Sequence, residues 1–388
     1  MTHESLLNEL WTTTLTRLGG AKAIAALARE TKAFVRPREV KSAVDLLRII
    51  LAYCLGGMGL RVTSAWAASV GLADLSNVAL LGRLRNSTAW MQRLVGVLLA
   101  GEGESGLEWS AGASTGRRIR LLDATTVPKA SLKARTAGGL WRVHAGFDLP
   151  SEQFSFFEVT DEKEAEHLGR MPVEAGDIVI ADRGYMSTAR LGAALEAGAD
   201  VIVRAGWRQV RWLDESGAKL DLLAALKAAE ASGRIDRKIG LGRTDGKAPD
   251  ARGDGRGTAP APLRLVAMRK PPEAAAKSRR TAQHEADKEK VQIAAGTLLT
   301  ADWMLLVTSL PADTYPAERI VELYRSRWRI EMAFKRLKSV VGLSGPPGQD
   351  PAVAKTWILA HLLMVLLLEP HVGALEVSPR QAPRPLAA

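Results

Sequence analysis

The sequence predicts an α/β fold, in which a mixed sheet flanked by helices follows a helical N-terminal domain and is interrupted by a β-rich insertion. Three patterns predict it. Apolar residues recur at helical spacing near the N-terminus, β-rich runs lead into a strand–helix–strand pattern in the middle of the chain, and a long stretch of different composition precedes the last strand and helix.

Composition and charge narrow the class of protein. For 388 residues, a prior of roughly one domain per 150 residues predicts two or three domains. The formal charge of +11 favours a polyanionic partner, either nucleic acid or an anionic membrane surface. Cys54 is the only cysteine, so we expect no disulfide framework and no cysteine-based zinc site. The polar N-terminus lacks the features of a secretory signal, and a cytoplasmic location is expected.

The N-terminal domain is expected to span residues 1–116. Apolar residues follow the helical period between Leu46 and Cys54, and the glycines at 56, 57 and 59 end that run. A further helix is predicted at Ser87–Leu99. The Gly- and Ser-rich stretch 101–116 is predicted to be a linker.

The central domain is expected to span residues 117–345, with an insertion at about 207–300. Three β-rich runs are followed by a predicted helix, strand, helix and strand, at Arg118–Val127, Trp141–Leu149, Gln153–Thr160, Lys163–Met171, Asp177–Ala181, Thr188–Ala197 and Asp200–Arg204. Three antiparallel strands before a β-α-β unit is the order of the ribonuclease H-like fold.

The insertion has its own pattern. It contains strand-like pieces at Val210–Leu213 and Leu263–Lys270, a Gly/Pro/Asp-rich loop at 242–262 and a charged helix at 277–294. The central domain then resumes with a strand at Trp303–Leu310 and a single helix at about 317–341.

The C-terminal region, residues 346–388, is expected to hold an apolar helix at 353–369 and a disordered tail. The apolar run Trp357–Leu368 has about a dozen residues, whereas a membrane-spanning helix needs ~20. We therefore expect a buried helix and no membrane partner.

Two aspartates are candidate metal ligands. Asp123 lies within a strand-like run that is apolar on both sides, and a carboxylate near a core is tolerated only when it is paired or metal-bound. The alternative is an ion pair with Arg118 or Arg120. Asp182 ends an apolar strand-like run, at the edge where α/β sheets bind ligands. The alternative is that Asp182 belongs to an ordinary strand-to-helix turn, in which aspartate is common. If Asp182 is considered alone, this alternative is the simpler interpretation.

The predicted helix at 317–341 carries a polar stripe. At ~100° per residue, four side chains fall within about 60° of one another: Tyr324, Arg327, Glu331 and Lys338. An adjacent apolar stripe is expected to pack on the sheet; it consists of Leu323, Ile330, Phe334 and Leu337. Glu331 then becomes a third carboxylate beside the two aspartates. The alternative is a solvated helix with a Glu331–Lys335 pair, which contributes only ~0.3–0.5 kcal/mol.

The polar stripe matches the Y-(2)-R-(3)-E-(6)-K signature of the IS4-type transposases at all four positions. The segments Leu122–Thr125 and Ala181–Tyr185 resemble the first and second aspartate motifs of that family, in the same order. A large insertion lies between the second aspartate and the glutamate, as it does in the family. The chain thus resembles the IS4-type transposases over roughly residues 118–345.

The resemblance implies a DNA transposase of an insertion sequence, which binds terminal inverted repeats and moves its element by cut-and-paste transposition. It implies that Asp123, Asp182 and Glu331 are the catalytic triad and hold two Mg²⁺ ions, for which Mn²⁺ substitutes. Magnesium prefers oxygen ligands, and two ions activate the nucleophile and stabilise the leaving oxygen. The N-terminal domain is expected to bind the DNA ends.

Further DNA contacts and partners are implied in the same way. Contacts with DNA are expected from Tyr324, Arg327, Lys338 and Arg183, and from Trp303 and Trp328, where an aromatic ring would stack on a base. The expected partners are transposon ends, target DNA and a second copy of the chain in a synaptic complex, in a bacterial cytoplasm and associated with the nucleoid.

Two other functions stay open on the sequence alone. One is a catalytically inactive, transposon-derived DNA-binding protein, and the other is a ribonuclease H-like nuclease that transfers no strand. For Trp303 and Trp328, the sequence agrees equally well with a structural position, inside the protein or at a strand edge, and with a contact to DNA.

Overall fold

Nine strands form one sheet in the part of the chain that the structure describes. The computed structural model describes residues 11–101, 117–130, 139–151, 153–242 and 263–374. In these ranges the strands are β1 Ile119–Pro128, β2 Leu140–Asp148, β3 Gln153–Asp161, β4 Ile178–Ala181, β5 Asp200–Arg204, β6 Arg211–Leu213, β7 Arg234–Gly242, β8 Leu263–Arg269 and β9 Trp303–Thr308. They form one sheet in the order β3-β2-β1-β4-β5-β9-β8-β7-β6.

Helices flank this sheet. They are α1 Gly20–Glu30, α2 Ala43–Leu55, α3 Leu60–Ser69, α4 Asn77–Arg85, α5 Thr88–Gly101, α6 Thr188–Glu196, α7 Leu222–Ala228, α8 Pro272–Glu289, α9 Ala295–Ala301, α10 Ala317–Arg325, α11 Trp328–Val340 and α12 Pro351–Ala374. Side-chain oxygens accept a backbone N–H at the start of α2 and α4, from Ser42 and Ser76. The mixed α/β fold predicted from the sequence is confirmed.

The sheet is mixed in direction. β1 pairs antiparallel with β2 and parallel with β4, β2 pairs antiparallel with β3, and β4 pairs parallel with β5. From β5 onward, through β9, β8 and β7 to β6, every pairing is antiparallel. The strands of the predicted insertion therefore extend the same sheet instead of forming a separate one.

Apolar side chains pack on both faces of the sheet. On β1, Leu121 belongs to one core cluster and Leu122 to another, as expected when successive side chains of a strand point to opposite faces. The first cluster holds α10 and α11, and the predicted apolar stripe is buried there, at Leu323, Ile330, Phe334 and Leu337. The packing of that stripe on the sheet is confirmed.

The N-terminal helices share this first cluster with α12. The Gln92 amide donates to the Phe157 carbonyl on β3 at 3.2 Å, and the Thr356 hydroxyl of α12 donates to the Leu84 carbonyl at 3.0 Å. Among the helices of the described residues, α12 alone is long enough and apolar enough to cross a membrane. Its most apolar 18 residues, Pro351–Leu368, are 67% buried inside the protein. Such burial is typical of a core helix.

Two helix predictions are wrong. Instead of a helix at Lys163–Met171, the structure has a single 3-10 turn at Leu168–Arg170, because the Arg170 side chain binds Glu158, Glu164 and the Ala165 carbonyl. The helix predicted at 317–341 is broken at residues 326 and 327. There the Ser326 hydroxyl donates to the Leu323 carbonyl at 2.6 Å, which competes with the helical hydrogen bonds.

Some predictions fall outside the described residues. These are the linker at 102–116, most of the loop at 242–262 and the tail beyond residue 374. The division into three domains stays a prediction.

A buried ion-pair cluster joins the N-terminal ends of β1 and β4. The Asp177 carboxylate, 2% exposed, accepts from Arg118 Nε at 2.7 Å and lies 3.6 Å from Arg120 Nη1. The alternative pairing of Asp123 with one of these arginines is therefore wrong. Burial opposes the charge of Asp177, but the hydrogen bonds from Arg118 and the Glu174 N–H outweigh it and hold its pKa below the usual range.

Replacing Asp177 by asparagine is expected to destabilise the protein by ~3–5 kcal/mol at pH 7, because Arg120 would stay buried without its counter-charge. Since the pKa of Asp177 is lowered on folding, its stabilisation is present above the unfolded pKa and is lost as the pH falls below about 4. The difference between wild type and variant in urea unfolding should therefore shrink at pH 3. Asp74→Asn, at an exposed position, is the control, and an equal difference at both pH values would contradict the prediction.

Candidate active site

The register of two parallel strands brings the two aspartates together. The last paired residues of β1 and β4 are Leu122 and Ala181, and Asp123 and Asp182 are the next residues on each strand. Adjacent strands lie about 4.8 Å apart, and Asp182 keeps an extended backbone (φ −80°, ψ 178°). Leu122 and Ala181 pack in the core cluster on one face, so both carboxylates point to the opposite face, where α10 and α11 lie.

Hydrogen bonds from Tyr324 and Arg327, two residues of the transposase signature, hold these carboxylates. The Tyr324 hydroxyl, near the end of α10, donates to Asp182 Oδ1 at 3.1 Å. Arg327 donates from Nη1 to Asp123 Oδ2 at 3.0 Å and from Nη2 to Glu331 Oε1. Residues far apart in the chain thus meet in one place, and the Arg327 guanidinium bridges Asp123 and Glu331.

The break between α10 and α11 shapes this arrangement. Residues 326 and 327 make i→i−3 backbone bonds, from Ser326 N to the Leu323 carbonyl and from Arg327 N to the Tyr324 carbonyl. The four signature residues therefore do not lie on one continuous helix, although three of them contact the aspartates or one another. The Arg327–Glu331 pair also replaces the alternative pair of Glu331 with Lys335.

The two aspartates differ in their electrostatic environment. Burial raises the pKa of Asp123 to about 6, against the opposing charge of Arg327 and the Ala124 N–H, and the charges of Asp182 and Glu331 add to the rise. At Asp182 burial acts in the same direction, but the Arg183 N–H and the charges of Arg327 and Arg204 outweigh it, and its pKa lies below the usual range. The two aspartates therefore have pKa values shifted in opposite directions, that of Asp123 upward and that of Asp182 downward.

An open cleft of about 540 Å³ adjoins the carboxylates. Its lining comes from β1 and α11 and consists of Asp123, Ala124, Thr125, Glu331, Phe334, Lys335, Lys338 and Ser339. Lys338, predicted from the sequence, faces the cleft. Asp182 does not line it and accepts the hydrogen bond of Tyr324.

The three remaining predicted DNA contacts lie in different environments. Arg183 follows Asp182 and is exposed. Trp328 is the first residue of α11 and is 56% exposed. Trp303 is 2% exposed, within the core cluster that it shares with Leu305 and Val307. Trp328 is thus accessible to a ligand as the structure stands, whereas Trp303 is covered.

Two site residues were not identified from the sequence. Lys335 lines the cleft, and its position four residues after Glu331 was interpreted only as a helical ion pair. Arg204 ends β5, and its Nη1 lies 3.8 Å from Asp182 Oδ1. The sequence does contain a signal for Arg204. The apolar run of β4 is followed by Asp182 and that of β5 ends at Arg204, so these two charged residues lie at the same edge of the sheet.

The donor set suits a hard divalent cation. Three carboxylates supply oxygen ligands of the kind that magnesium prefers. The pKa of Asp123 is raised mainly by burial, and the charges of Asp182 and Glu331 add to the rise. As the side chains stand, no group of three or more His, Cys, Asp or Glu among the described residues has the arrangement of a metal site. The bridging guanidinium of Arg327 lies between two of the candidate ligands.

Comparisons with known proteins identify the family to which the chain belongs. Residues 114–367 match the family described as Transposase DDE domain. InsL for insertion sequence element IS186A of Escherichia coli (strain K12) is 38% identical over 376 residues, which cover 96% of both chains. The transposase for insertion sequence element IS421 of Escherichia coli is 37% identical over 377 residues, again 96% of both chains. The chain therefore belongs to the IS4-type transposases with a DDE domain, a family of enzymes that cleave and transfer DNA strands.

Proposed function

We propose that this transposase binds the terminal inverted repeats of its own insertion sequence, cuts the phosphodiester bonds at the ends and joins them to a target by cut-and-paste transposition. The observation that carries the proposal is the meeting of Asp123, Asp182 and Glu331, from three separate segments, around Arg327 beside an open cleft. This site also favours an active enzyme over an inactive DNA-binding relative.

We propose further that β3-β2-β1-β4-β5 is a ribonuclease H-like core, with β1, β2 and β3 antiparallel and β4 and β5 parallel to β1. Residues 117–345 would then form the catalytic domain, with an insertion at about 207–300 that adds strands to the same sheet. Residues 1–116 would contact the transposon ends. The protein would act in the bacterial cytoplasm, on the nucleoid, as a homodimer that holds both ends in one synaptic complex.

In this proposal Asp123, Asp182 and Glu331 hold divalent metal, Mg²⁺ with Mn²⁺ as a substitute. When bound, two such ions activate water or a 3′-hydroxyl and stabilise the leaving oxygen. Tyr324 positions the Asp182 carboxylate through its hydroxyl, and burial raises the pKa of that phenol to about 12. Tyr324 therefore stays protonated and acts as a hydrogen-bond donor at neutral pH.

The basic residues of the site would hold DNA. Arg327 has a planar fork of donors that matches a phosphate, and Lys335 and Lys338 place point charges on the cleft wall. Trp328, exposed at the start of α11, would stack on a base at the end of the element, a contact that contributes ~1–3 kcal/mol. Arg183 would contact the backbone on the Asp182 side. Trp303 would reach a base only after a local opening of the core.

A cleavage assay tests the proposal. Wild type and Glu331→Gln are incubated with Mg²⁺ or Mn²⁺ and a duplex that carries the DNA flanking the gene. We expect cuts at the repeat ends by the wild type and a loss of more than about 100-fold in the variant, since even residues that only orient metal ligands cost 10–100-fold.

Glu322→Gln is the matched control, because Glu322 lies on α10 with its side chain 62% exposed and forms an ion pair with Arg319. Its cleavage should equal that of the wild type. If wild type and Glu331→Gln cut equally, or if neither cuts while both bind the ends, the enzymatic role of this site is wrong.

A further inference from the structure

A group of arginines lies at the edge of the sheet beyond Asp182. Arg204 is the last residue of β5, and its side chain is 39% exposed. Arg208 follows in the next loop, is exposed, and holds its guanidinium 4.4 Å from the centre of the Trp207 ring. Arg183 is exposed and its Cδ lies close to Gly206 in the same loop. We call Arg183, Arg204 and Arg208 the basic edge.

The basic edge has little compensating negative charge. The contact of Arg204 with Asp182, at 3.8 Å, is too long for a hydrogen bond. Neither Arg183 nor Arg208 forms an ion pair within the described ranges. Burial and the charge of Arg204 lower the pKa of Lys270 to about 8, although Asp302 acts in the opposite direction. The edge is thus a region of positive potential with free donors.

The backbone of the loop after β5 is held in place next to Arg183. The Gln209 side chain accepts from the Gly206 N–H at 2.7 Å and donates to the Arg183 carbonyl at 3.0 Å. The Trp207 indole donates to Thr297 at 3.3 Å. The Arg208 guanidinium lies over the Trp207 ring, and a side chain held in this way loses less entropy on binding an anion than a freely moving one.

The basic edge lies across the carboxylates from the lysines of α11. Lys335 and Lys338 line the cleft on the Asp123 and Glu331 side, and Arg204 flanks Asp182 on the other. A DNA strand whose phosphodiester lies at the carboxylates has further phosphates on both sides of it. Arginine matches the oxygens of a phosphate by two parallel hydrogen bonds.

We propose that Arg204 and Arg208 form, with Arg183, a second phosphate-binding site, which holds the backbone of the cleaved DNA strand on the Asp182 side of the cut. The inference rests on the proposed function, because it assumes that DNA occupies the cleft. Arg204 and Arg208 would contribute affinity and strand position, while the carboxylates carry the chemistry.

DNA binding in the absence of divalent metal tests the site. Fluorescent duplexes of about 30 base pairs, taken from the DNA flanking the gene, are titrated with wild type, Arg204→Gln and Arg208→Gln at several salt concentrations with a chelator present. Each variant should reduce the slope of log K against log salt concentration by about 1, because one phosphate contact is lost. Arg237→Gln changes an exposed arginine on β7, three strands away from β5, and should leave the slope unchanged.

A second arm separates phosphate binding from the positioning of Asp182. Duplexes with single methylphosphonates near the cut lack one charge each. Wild type should bind at least one of these modified duplexes more weakly than the unmodified duplex. The Arg204→Gln variant should bind that modified duplex and the unmodified duplex equally well. Arg204→Lys, which keeps the charge, should retain the wild-type slope.

Wild-type slopes in both Gln variants would overturn the proposal, as would a slope for Arg204→Lys as low as that of Arg204→Gln. Wild-type binding with a loss of cleavage in Arg204→Gln would assign that residue to positioning Asp182 instead. The outcome is independent of the Glu331→Gln assay. If the slopes shift while Glu331→Gln cuts like the wild type, the basic edge stands and the proposed catalytic role fails.

Discussion

The Asp123→Asn variant is expected to be more stable than the wild type at pH 8 in metal-free buffer, and to have lost cleavage. Burial and neighbouring carboxylates raise the pKa of Asp123 from its ordinary value of 3.8 to about 6, and this rise corresponds to ~3 kcal/mol of unfavourable free energy for the charged form. Asparagine has nearly the same shape and carries no charge. Cleavage should fall by more than about 100-fold, because the variant lacks a metal-ligating carboxylate.

The pH dependence follows from the direction of the shift. Because the pKa of Asp123 is higher in the folded protein than in the unfolded chain, the folded state binds the proton more tightly. That contribution to stability is fully present below the unfolded pKa and is lost as the pH rises through about 6. The stability difference between Asp123→Asn and wild type should therefore be small near pH 4 and reach ~3 kcal/mol above pH 7.

Urea unfolding at pH 4, 6 and 8 with a chelator measures this difference. Asp313→Asn, which changes an exposed aspartate, is the control and should show no such dependence. A variant that is less stable than the wild type at pH 8 would contradict the prediction. It would mean that the Arg327–Asp123 hydrogen bond stabilises the fold by more than burial of the charge costs.

The Arg327→Gln variant is expected to lose ~3–5 kcal/mol of stability at pH 8, the usual cost of breaking a buried ion pair. The side chains of Arg327 and Asp123 are only 15% and 17% exposed, so the variant leaves a buried carboxylate without its cation. The loss should be smaller at pH 5, where Asp123 is largely protonated. Cleavage should also fall, since the proposed phosphate contact is removed.

A double-mutant cycle separates the two effects of Arg327. If the instability of Arg327→Gln arises from the charge of Asp123, adding Asp123→Asn should restore stability, with a coupling energy in the range of ~0.5–3 kcal/mol. Arg325→Gln changes an exposed arginine at the end of α10 and should unfold like the wild type. Additive effects in the cycle would show that Arg327 stabilises the fold without Asp123.

Strands were predicted well where their sequences are short apolar runs between turn residues. The predicted strand Asp200–Arg204 coincides with β5, and the predicted strand at Leu263–Lys270 differs from β8 by one residue. Buried strands are recognisable because both faces must be apolar. Within the insertion, β7 and α7 are not predicted, and in β7 three consecutive charged residues, Asp236 to Lys238, interrupt the apolar pattern.

Helix predictions failed where tertiary contacts override local preference. Residues 163–171 have a composition that suits a helix, yet Arg170 is drawn to Glu158 on β3 and the segment forms a short turn. The continuous helix at 317–341 is broken by the side-chain hydrogen bond of Ser326. Neither the distant partner nor the local bond is visible in the apolar periodicity of the sequence.

By itself, the sequence determined the α/β class, the family and the set of candidate residues, because strand patterns and the Tyr/Arg/Glu/Lys spacing are local properties of the chain. The tertiary structure decided which of these residues meet. It placed Asp123 beside Asp182 through the register of β1 and β4, set Arg327 between Asp123 and Glu331, buried Trp303, and put Arg204 next to Asp182. Proximity across a sheet depends on strand order and register, which residues far apart in the chain determine together.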